Sequence, residues 1–434
     1  MKKNPLINIV REQKSGKNTG LYSICSANRF VIEASILQAI KDNSTLCIEA
    51  TSNQVDQFGG YTGMKPADFA LYVKTIAQEL GFPAQKLILG GDHLGPNTWR
   101  KENSGSAMQK ARELMSAYAK AGFSKLHLDA SMKCSDDSGE APAPRVAAER
   151  AAELCAAAEA AWDKSSNSIP AYIVGTEVPT PGGAVLGHDK IHITGAADAA
   201  ETVKEIHDAF KRKGLDSAWE RVHAVVVQPG VEFGDASVET YVPEKASALK
   251  TFIKGEPNLV FEAHSTDYQP GSALNELVRD HFAVLKVGPW LTFAFREALF
   301  ALEKIEAELF AGKSAKLSGL ENALDSAMLK NPSYWKNYYS GTEAEVAHKR
   351  KYSYSDRCRY YWPLPEMEHA IILLLNNLSG VKIPIPLLEK HLPAIANTFK
   401  MGSLPMGPRP LIHAKIMKIT SLYSKACGLH TNKH

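Results

Sequence analysis

From the first residues to about position 310, short apolar runs alternate with longer stretches of helical spacing. The short runs lie at 21–26, 45–50, 87–90, 125–129, 171–175, 222–228, 259–263 and 283–287. The stretches between them, at 30–41, 66–80, 106–121, 144–162, 196–212, 243–254, 272–280 and 293–310, repeat apolar side chains every three to four residues. That switch in period predicts strands followed by helices. Local punctuation agrees. Pro66 sits in a first helical turn, and Gly81, Gly122 and Gly214 each follow a helical stretch. The strands read as nearly continuous apolar runs, as parallel strands covered on both faces should. About eight strand–helix units over some 310 residues predict a (β/α)8 TIM barrel spanning 1–315, with an open doubly wound sheet as the alternative. Beyond 315 the alternation stops. Residues 316–434 are aromatic and helical, and are expected to form a helical C-terminal extension packed on the barrel.

The polar residues fall at the carboxyl ends of the strands, where barrel enzymes place their chemistry. Strand two ends at Glu49, followed by Asn53 and Gln54; strand three leads into Asp92 and His93 on a glycine-rich turn. Strand four ends at Asp129 with Ser131 beyond it, strand five at Glu177, strand six at Gln228, strand seven at His264 and Ser265, and strand eight carries Lys286 and Gly288. His93 and His264 with a carboxylate have the donor chemistry of a divalent-cation site, zinc foremost and cobalt or manganese next. Read singly, either histidine is as well explained as a hydrogen-bonded core residue. Asp92 reads as a general acid or base, or as a turn cap. Glu177 is either a further metal ligand or the second proton carrier. Lys286 fits a Schiff base, a phosphate contact, or an ion pair with Glu177 or Asp129. Arg357 and Arg359 are either phosphate clamps or tethers of the extension. Glu49, Asn53, Gln54, Asp129, Ser131, Gln228, Ser265 and Gly288 complete the expected substrate-binding set.

Composition narrows the class. A net charge of +3 is too small for a nucleic-acid or membrane surface. Met1-Lys2-Lys3-Asn4-Pro5 is not followed by the apolar h-region of a signal peptide, and the apolar stretches at 291–302 and 371–375 are short or interrupted by charge, so a cytoplasmic protein is expected. The six cysteines are scattered without a C-x-x-C pair and read as reduced core thiols. No G-x-G-x-x-G follows the first strand and no G-x-x-x-x-G-K-[ST] occurs, which argues against a Rossmann dehydrogenase or a P-loop kinase.

An ordered set of segments then carries a family resemblance: Glu49-Ala50-Thr51-Ser52-Asn53-Gln54 running on to Gly59-Gly60-Tyr61-Thr62-Gly63-Met64, Gly90 to Asn97, His127 to Met132, Gly175-Thr176-Glu177-Val178-Pro179, Val227 to Phe233, Glu262 to Gln269, Asp280 to Ala283 with Leu285 to Pro289, and Asp356-Arg357 with Arg359 to Trp362. Across nearly the whole chain this resembles the tagatose-1,6-bisphosphate aldolase Z-type subunit family of galactitol and N-acetylgalactosamine catabolism. The resemblance implies a barrel related to metal-dependent class II aldolases, acting on phosphorylated ketohexoses. Two activities are implied: a tagatose-bisphosphate aldolase component, or a 4-epimerase interconverting tagatose 6-phosphate and fructose 6-phosphate. The alternative is a non-catalytic subunit that stabilises a separate class II aldolase subunit. An oligomer is expected. In the enzymatic reading, a metal on His93 and His264 faces the C2 carbonyl, Asp92 or Glu177 takes the C4 hydroxyl proton, and the C3–C4 bond breaks as a retro-aldol.

Overall fold

The computed structural model describes residues 4–165, 169–175, 191–400, 405 and 407–430. Eight parallel strands close into a barrel: β1 (Leu21–Cys25), β2 (Leu46–Thr51), β3 (Leu87–Leu94), β4 (Lys125–Asp129), β5 (Ala171–Gly175), β6 (Val222–Val226), β7 (Val260–Ala263) and β8 (Val284–Val287). β8 returns to β1 with Leu21 beside Val284 and Ile24 beside Val287, which closes the (β/α)8 barrel read from the alternation. A two-residue hairpin, Glu232–Phe233 with Val238–Glu239, lies outside it.

The barrel interior is divided along its axis. Its lower half is apolar, filled by Leu21, Cys47, Ile88, Ile173, Ala224 and Val260. A helix at Pro5–Lys14, absent from the sequence expectations, adds Leu6, Ile9 and Val10 to that cluster and closes the bottom. Asn4 fixes it there: its side-chain oxygen caps Leu6 N, and its amide donates to the carbonyls of Ser124 and Ile169. The upper half is polar and holds the side chains considered below.

β3 departs from expectation in a way that matters. The strand runs on through Asp92 and His93, which were expected on a turn, to Leu94. Gly91 pairs with Leu126 and Leu94 with Leu128, so β3 carries one extra residue across that interval. Such a bulge breaks strict in–out alternation. It lets two consecutive residues, Asp92 and His93, both reach the interior, with His93 at φ 48°. Glycine is required beside it: a Cβ on Gly95 would lie 1.6 Å from the Asp129 carbonyl oxygen, and one on Gly90 2.5 Å from Cγ of Glu49.

The chain beyond 315 is helical, as expected, but it interlocks with the barrel rather than resting on it. The helix Pro408–Ala426 packs against Arg29–Asp42, Gly271–Arg279 and Pro289–Leu309. Tyr423 Oη donates to the Thr266 carbonyl at 2.6 Å, Ser424 Oγ to Asp42 at 2.5 Å, and Gly20 N, just before β1, to the Cys427 carbonyl at 3.0 Å. One apolar core runs through both parts.

Glu33 is the ionic pin of this interlock. It accepts from Arg29 at 2.7 Å, Arg409 at 2.6 Å and His413 at 2.8 Å. Burial alone would raise its pKa, but His413, Arg409 and Arg29 together bring it down to about 2 from 4.5. Because the folded value is the lower one, the pair stabilises fully above pH 4.5 and fades as pH falls towards 2. The thermal-midpoint gap between wild type and Glu33→Gln is therefore expected to be largest near neutrality and to close over that acid window.

Candidate active site

Alternate residues of a strand share a face, and on a barrel that face is the interior. On β4 it carries Lys125, His127 and Asp129; on β7 and its exit, Glu262 and His264; on β2, Glu49; on β8, Lys286. With Asp92 and His93 from the bulge, these nine side chains are at most 5% exposed. Such a concentration of buried charge is tolerated only when paired, and each of its carboxylates and ammonium groups has an opposite charge or an imidazole beside it. Lys125 Nζ lies 2.5 Å from Glu49 Oε1 and 2.8 Å from Glu262 Oε2. Lys286 Nζ contacts Asp92 Oδ2 and lies 3.3 Å from Glu49 Oε2. Among the described residues its partners are thus Asp92 and Glu49, not the expected Asp129. Asp129 is instead turned to His93, and Glu177 lies outside the described residues. Burial would lower the lysine's pKa, but Asp92 and the other anions hold it well above the ordinary value. Held between Asp92 and Glu49, this amine sits as an ion-pair partner, whereas a Schiff base would need it deprotonated.

The three histidines are arranged alike. His93 Nδ1 lies 2.8 Å from Asp129 Oδ2, His127 Nδ1 2.9 Å from Asp92 Oδ1, and His264 Nε2 3.0 Å from Glu262 Oε1. Their ring centroids stand 5.0 to 5.4 Å apart. A carboxylate on one ring nitrogen fixes orientation and leaves the other for a ligand. His127 Nε2 is buried with no partner at all. Burial, with Lys286 nearby, lowers the His264 pKa to about 3, so this imidazole is neutral. Asp92, His127, Glu262 and His264 offer ligand atoms all within 4.8 Å of one another. Among these side chains four carboxylates (Glu49, Asp92, Asp129, Glu262) stand against two ammonium groups (Lys125, Lys286). Imidazole and carboxylate donors with acids in excess over ammonium groups fit a divalent cation.

A pocket opens above this cluster. Asn53, Gln54, Asp92, His93, His264, Ser265, Lys286, Gly288 and Arg359 line it. Glu49 and Asp129 lie beneath its floor. Three expected residues stand elsewhere. Ser131 Oγ donates to Asp129 at 2.6 Å and so orients the acid behind His93. Gln228 turns its oxygen back onto Gly230 N and Val231 N at 2.8 and 3.0 Å. Arg357 is buried with its guanidinium on the Tyr338 ring, off the pocket.

Sequence reasoning passed over His127, Lys125, Glu262 and Tyr360. The first three sat inside apolar strands and were read as strand interior. The signal was present: Lys125-Leu126-His127-Leu128-Asp129 alternates polar and apolar residues on a strand whose polar face must point into the barrel. Asp267 was also missed. It accepts from Gly288 N and Trp290 N, at 3.0 and 2.8 Å, at the start of the helix Pro289–Leu309, and burial pushes its pKa up to about 6.

Comparison with known proteins gives a consistent result. Residues 6–428 match the family described as D-tagatose-1,6-bisphosphate aldolase subunit GatZ/KbaZ-like. The D-tagatose-1,6-bisphosphate aldolase subunit GatZ of Klebsiella pneumoniae is 47% identical over 423 residues, covering 98% of this chain and 99% of that protein. The subunit of the same name from Salmonella typhimurium is 47% identical over 419 residues, covering 96% and 98%. A crystal structure titled a probable tagatose 6 phosphate kinase, from Sinorhizobium meliloti, superposes with a TM-score of 0.86 at 43% identity, over 94% of this chain and all of the other.

Proposed function

The chain belongs to the D-tagatose-1,6-bisphosphate aldolase subunit GatZ/KbaZ-like family, and from that membership and the barrel mouth we propose that it catalyses retro-aldol chemistry on phosphorylated ketohexoses. One observation carries the reading: three histidines, each held by its own carboxylate, converge below one pocket. A subunit serving only to stabilise a partner has no use for that arrangement, which costs burial of charge.

His93, His127 and His264 would hold the divalent cation, with Asp92 or Glu262 beside them and zinc as the best-suited ion. When bound, the cation supplies a Lewis acid for the substrate's carbonyl and hydroxyl oxygens. The protein's own groups do the rest. Asp129 and Glu262 orient His93 and His264. Asp92 is ionised: burial raises its pKa, but His93, Lys286 and His127 together hold it well below the usual range. It is therefore free of a proton and able to accept one from the C4 hydroxyl. Glu177 remains the second expected proton carrier. Asn53, Gln54, Ser265 and Gly288 present polar groups for sugar hydroxyls, and Arg359 a cation for a phosphate at the rim. Loss of the C4 hydroxyl proton forms the aldehyde as the C3–C4 bond breaks. Release of the fragments completes an aldolase reaction; re-addition to the other aldehyde face completes a 4-epimerisation.

A proton NMR time course of the purified chain with zinc or cobalt tests this on fructose 6-phosphate and, separately, on tagatose 1,6-bisphosphate. Tagatose 6-phosphate from the first, or triose phosphates from the second, is the expected product. No change in either, with activation of an added class II aldolase subunit, would make the chain an accessory component.

A further inference from the structure

The C-terminal extension sends one short segment, Arg357–Tyr360, to the rim of the barrel mouth. Asp356 pins it, accepting from Arg296 Nε at 2.9 Å and Thr292 Oγ1 at 2.6 Å on the helix Pro289–Leu309. Two guanidiniums follow within three residues, and among the described residues neither is ion-paired to a carboxylate, although Asp356 and Asp267 lie near enough to act on Arg359. Arg359 donates to the main-chain carbonyls of Ser355 and Asp356 and, at 3.0 Å, to Tyr360 Oη. Arg357, 3% exposed, reaches Tyr360 Oη at 3.5 Å and lies on the Tyr338 ring, and its Nε and Nη2 have no hydrogen-bond partner among the described residues. A buried cation without a counter-ion is costly, and the arrangement persists only if something compensates it. Among the described residues both guanidiniums reach the phenol oxygen of Tyr360. Loss of its proton would place a single negative charge between two positive ones.

That phenol belongs to the pocket: Tyr360 and Arg359 line it together with Asp92, His93 and Lys286. Its ring is fixed from two sides, stacked on Tyr334 at 4.6 Å and edge-on to Tyr61 at 4.7 Å. The titratable neighbours facing it are thus Arg357 and Arg359 on its own segment, Tyr334 from the extension, and Tyr61 from the loop after β2. Burial opposes ionisation, but Arg359 and Arg357 outweigh it and bring the pKa below that of a free phenol.

We propose that Tyr360 is a catalytic proton carrier at the substrate's C4 oxygen, acting from the wall of the pocket whose floor holds Asp92. This rests on the retro-aldol reading above. In the cleaving direction the Tyr360 phenolate accepts the C4 hydroxyl proton, the O–H electrons form the aldehyde C=O, and the C3–C4 pair stays on C3 as an enediolate. In re-addition the enediolate carbon attacks the aldehyde, and the phenol returns its proton to the C4 oxyanion. The same phenol thus takes the proton in cleavage and gives it back in re-addition, so that no proton is gained or lost over the cycle.

The test joins a spectroscopic titration to kinetics. The ultraviolet phenolate absorbance of wild type minus that of Tyr360→Phe should show one tyrosine titrating below the free-phenol range, and Arg357→Met should move it upward. On ketohexose phosphates, Tyr360→Phe, which keeps the ring packing, should lose on the order of 10²–10⁴-fold in kcat with KM changed little. A Tyr360 that titrates like free tyrosine, or a Phe variant with wild-type kcat, overturns the proposal alone. A wild-type chain without turnover on any ketohexose phosphate overturns the functional reading and the proton-carrier role together.

Discussion

A His264→Ala chain is expected to lose its divalent cation and about 10³-fold in turnover on ketohexose phosphates. The size follows from the several kcal/mol of charge stabilisation that a Lewis-acidic ion contributes, at about 1.4 kcal/mol per tenfold in rate. His264 is singled out because it is neutral and is held on Nε2 by Glu262. It lies in the pocket lining and within ligand distance of Asp92, His127 and Glu262. Metal content by mass spectrometry after dialysis reads the first effect, and circular dichroism checks that the barrel persists. Asp129→Asn gives the graded counterpart, since it removes only the acid that orients His93. It should weaken metal affinity about 10- to 100-fold without abolishing it. A His264→Ala chain that retains one equivalent of metal and full turnover would take His264 out of the site.

Lys125→Met should do the largest damage to the fold itself. The ammonium is completely buried between Glu49 and Glu262 and is the nearest counter-charge of both, Lys286 standing farther from Glu49 at 3.3 Å. Removing it leaves two carboxylates facing each other inside the barrel, at a cost of about 3–5 kcal/mol. Urea unfolding and soluble yield would read the loss. Adding Glu49→Gln and Glu262→Gln to Lys125→Met should restore most of the stability, because the harm lies in the uncompensated charge rather than in the missing amine. If Lys125→Met alone unfolds at the wild-type urea concentration, the cluster is not held together in this way.

The fold was legible because its signal is periodic and repeated. Each strand is an apolar run of the length a barrel needs, and each helix has its own start and stop residues. The N-terminal helix was not, since Pro5–Lys14 spans only ten residues and its apolar stripe, Leu6, Ile9 and Val10, finds a partner only in a barrel floor formed by distant strands. The mouth was half legible. Residues at strand ends, such as His264 and Lys286, could be named from position alone. His127 and Glu262 could not, because their role appears only when alternation is combined with closure of the sheet. The pairing of Lys286 with Asp92 was hidden for a different reason: it depends on the extra residue in β3, and nothing in Gly90-Gly91-Asp92-His93 announces which strand partner will be skipped. Tyr360 lies outside the barrel, where no repeat pattern guides the reading.

The seam between Gly20 and Cys427 has a consequence for the order in which the protein is made. The backbone just before the first strand is sealed by the last helix, and that helix also fastens Thr266 and Asp42. During synthesis the eight strands leave the ribosome well before the element that locks them. For about 120 residues of translation the nascent barrel waits with the binding face for its final helix bare, a span in which a chaperone, or a second subunit, would find it open.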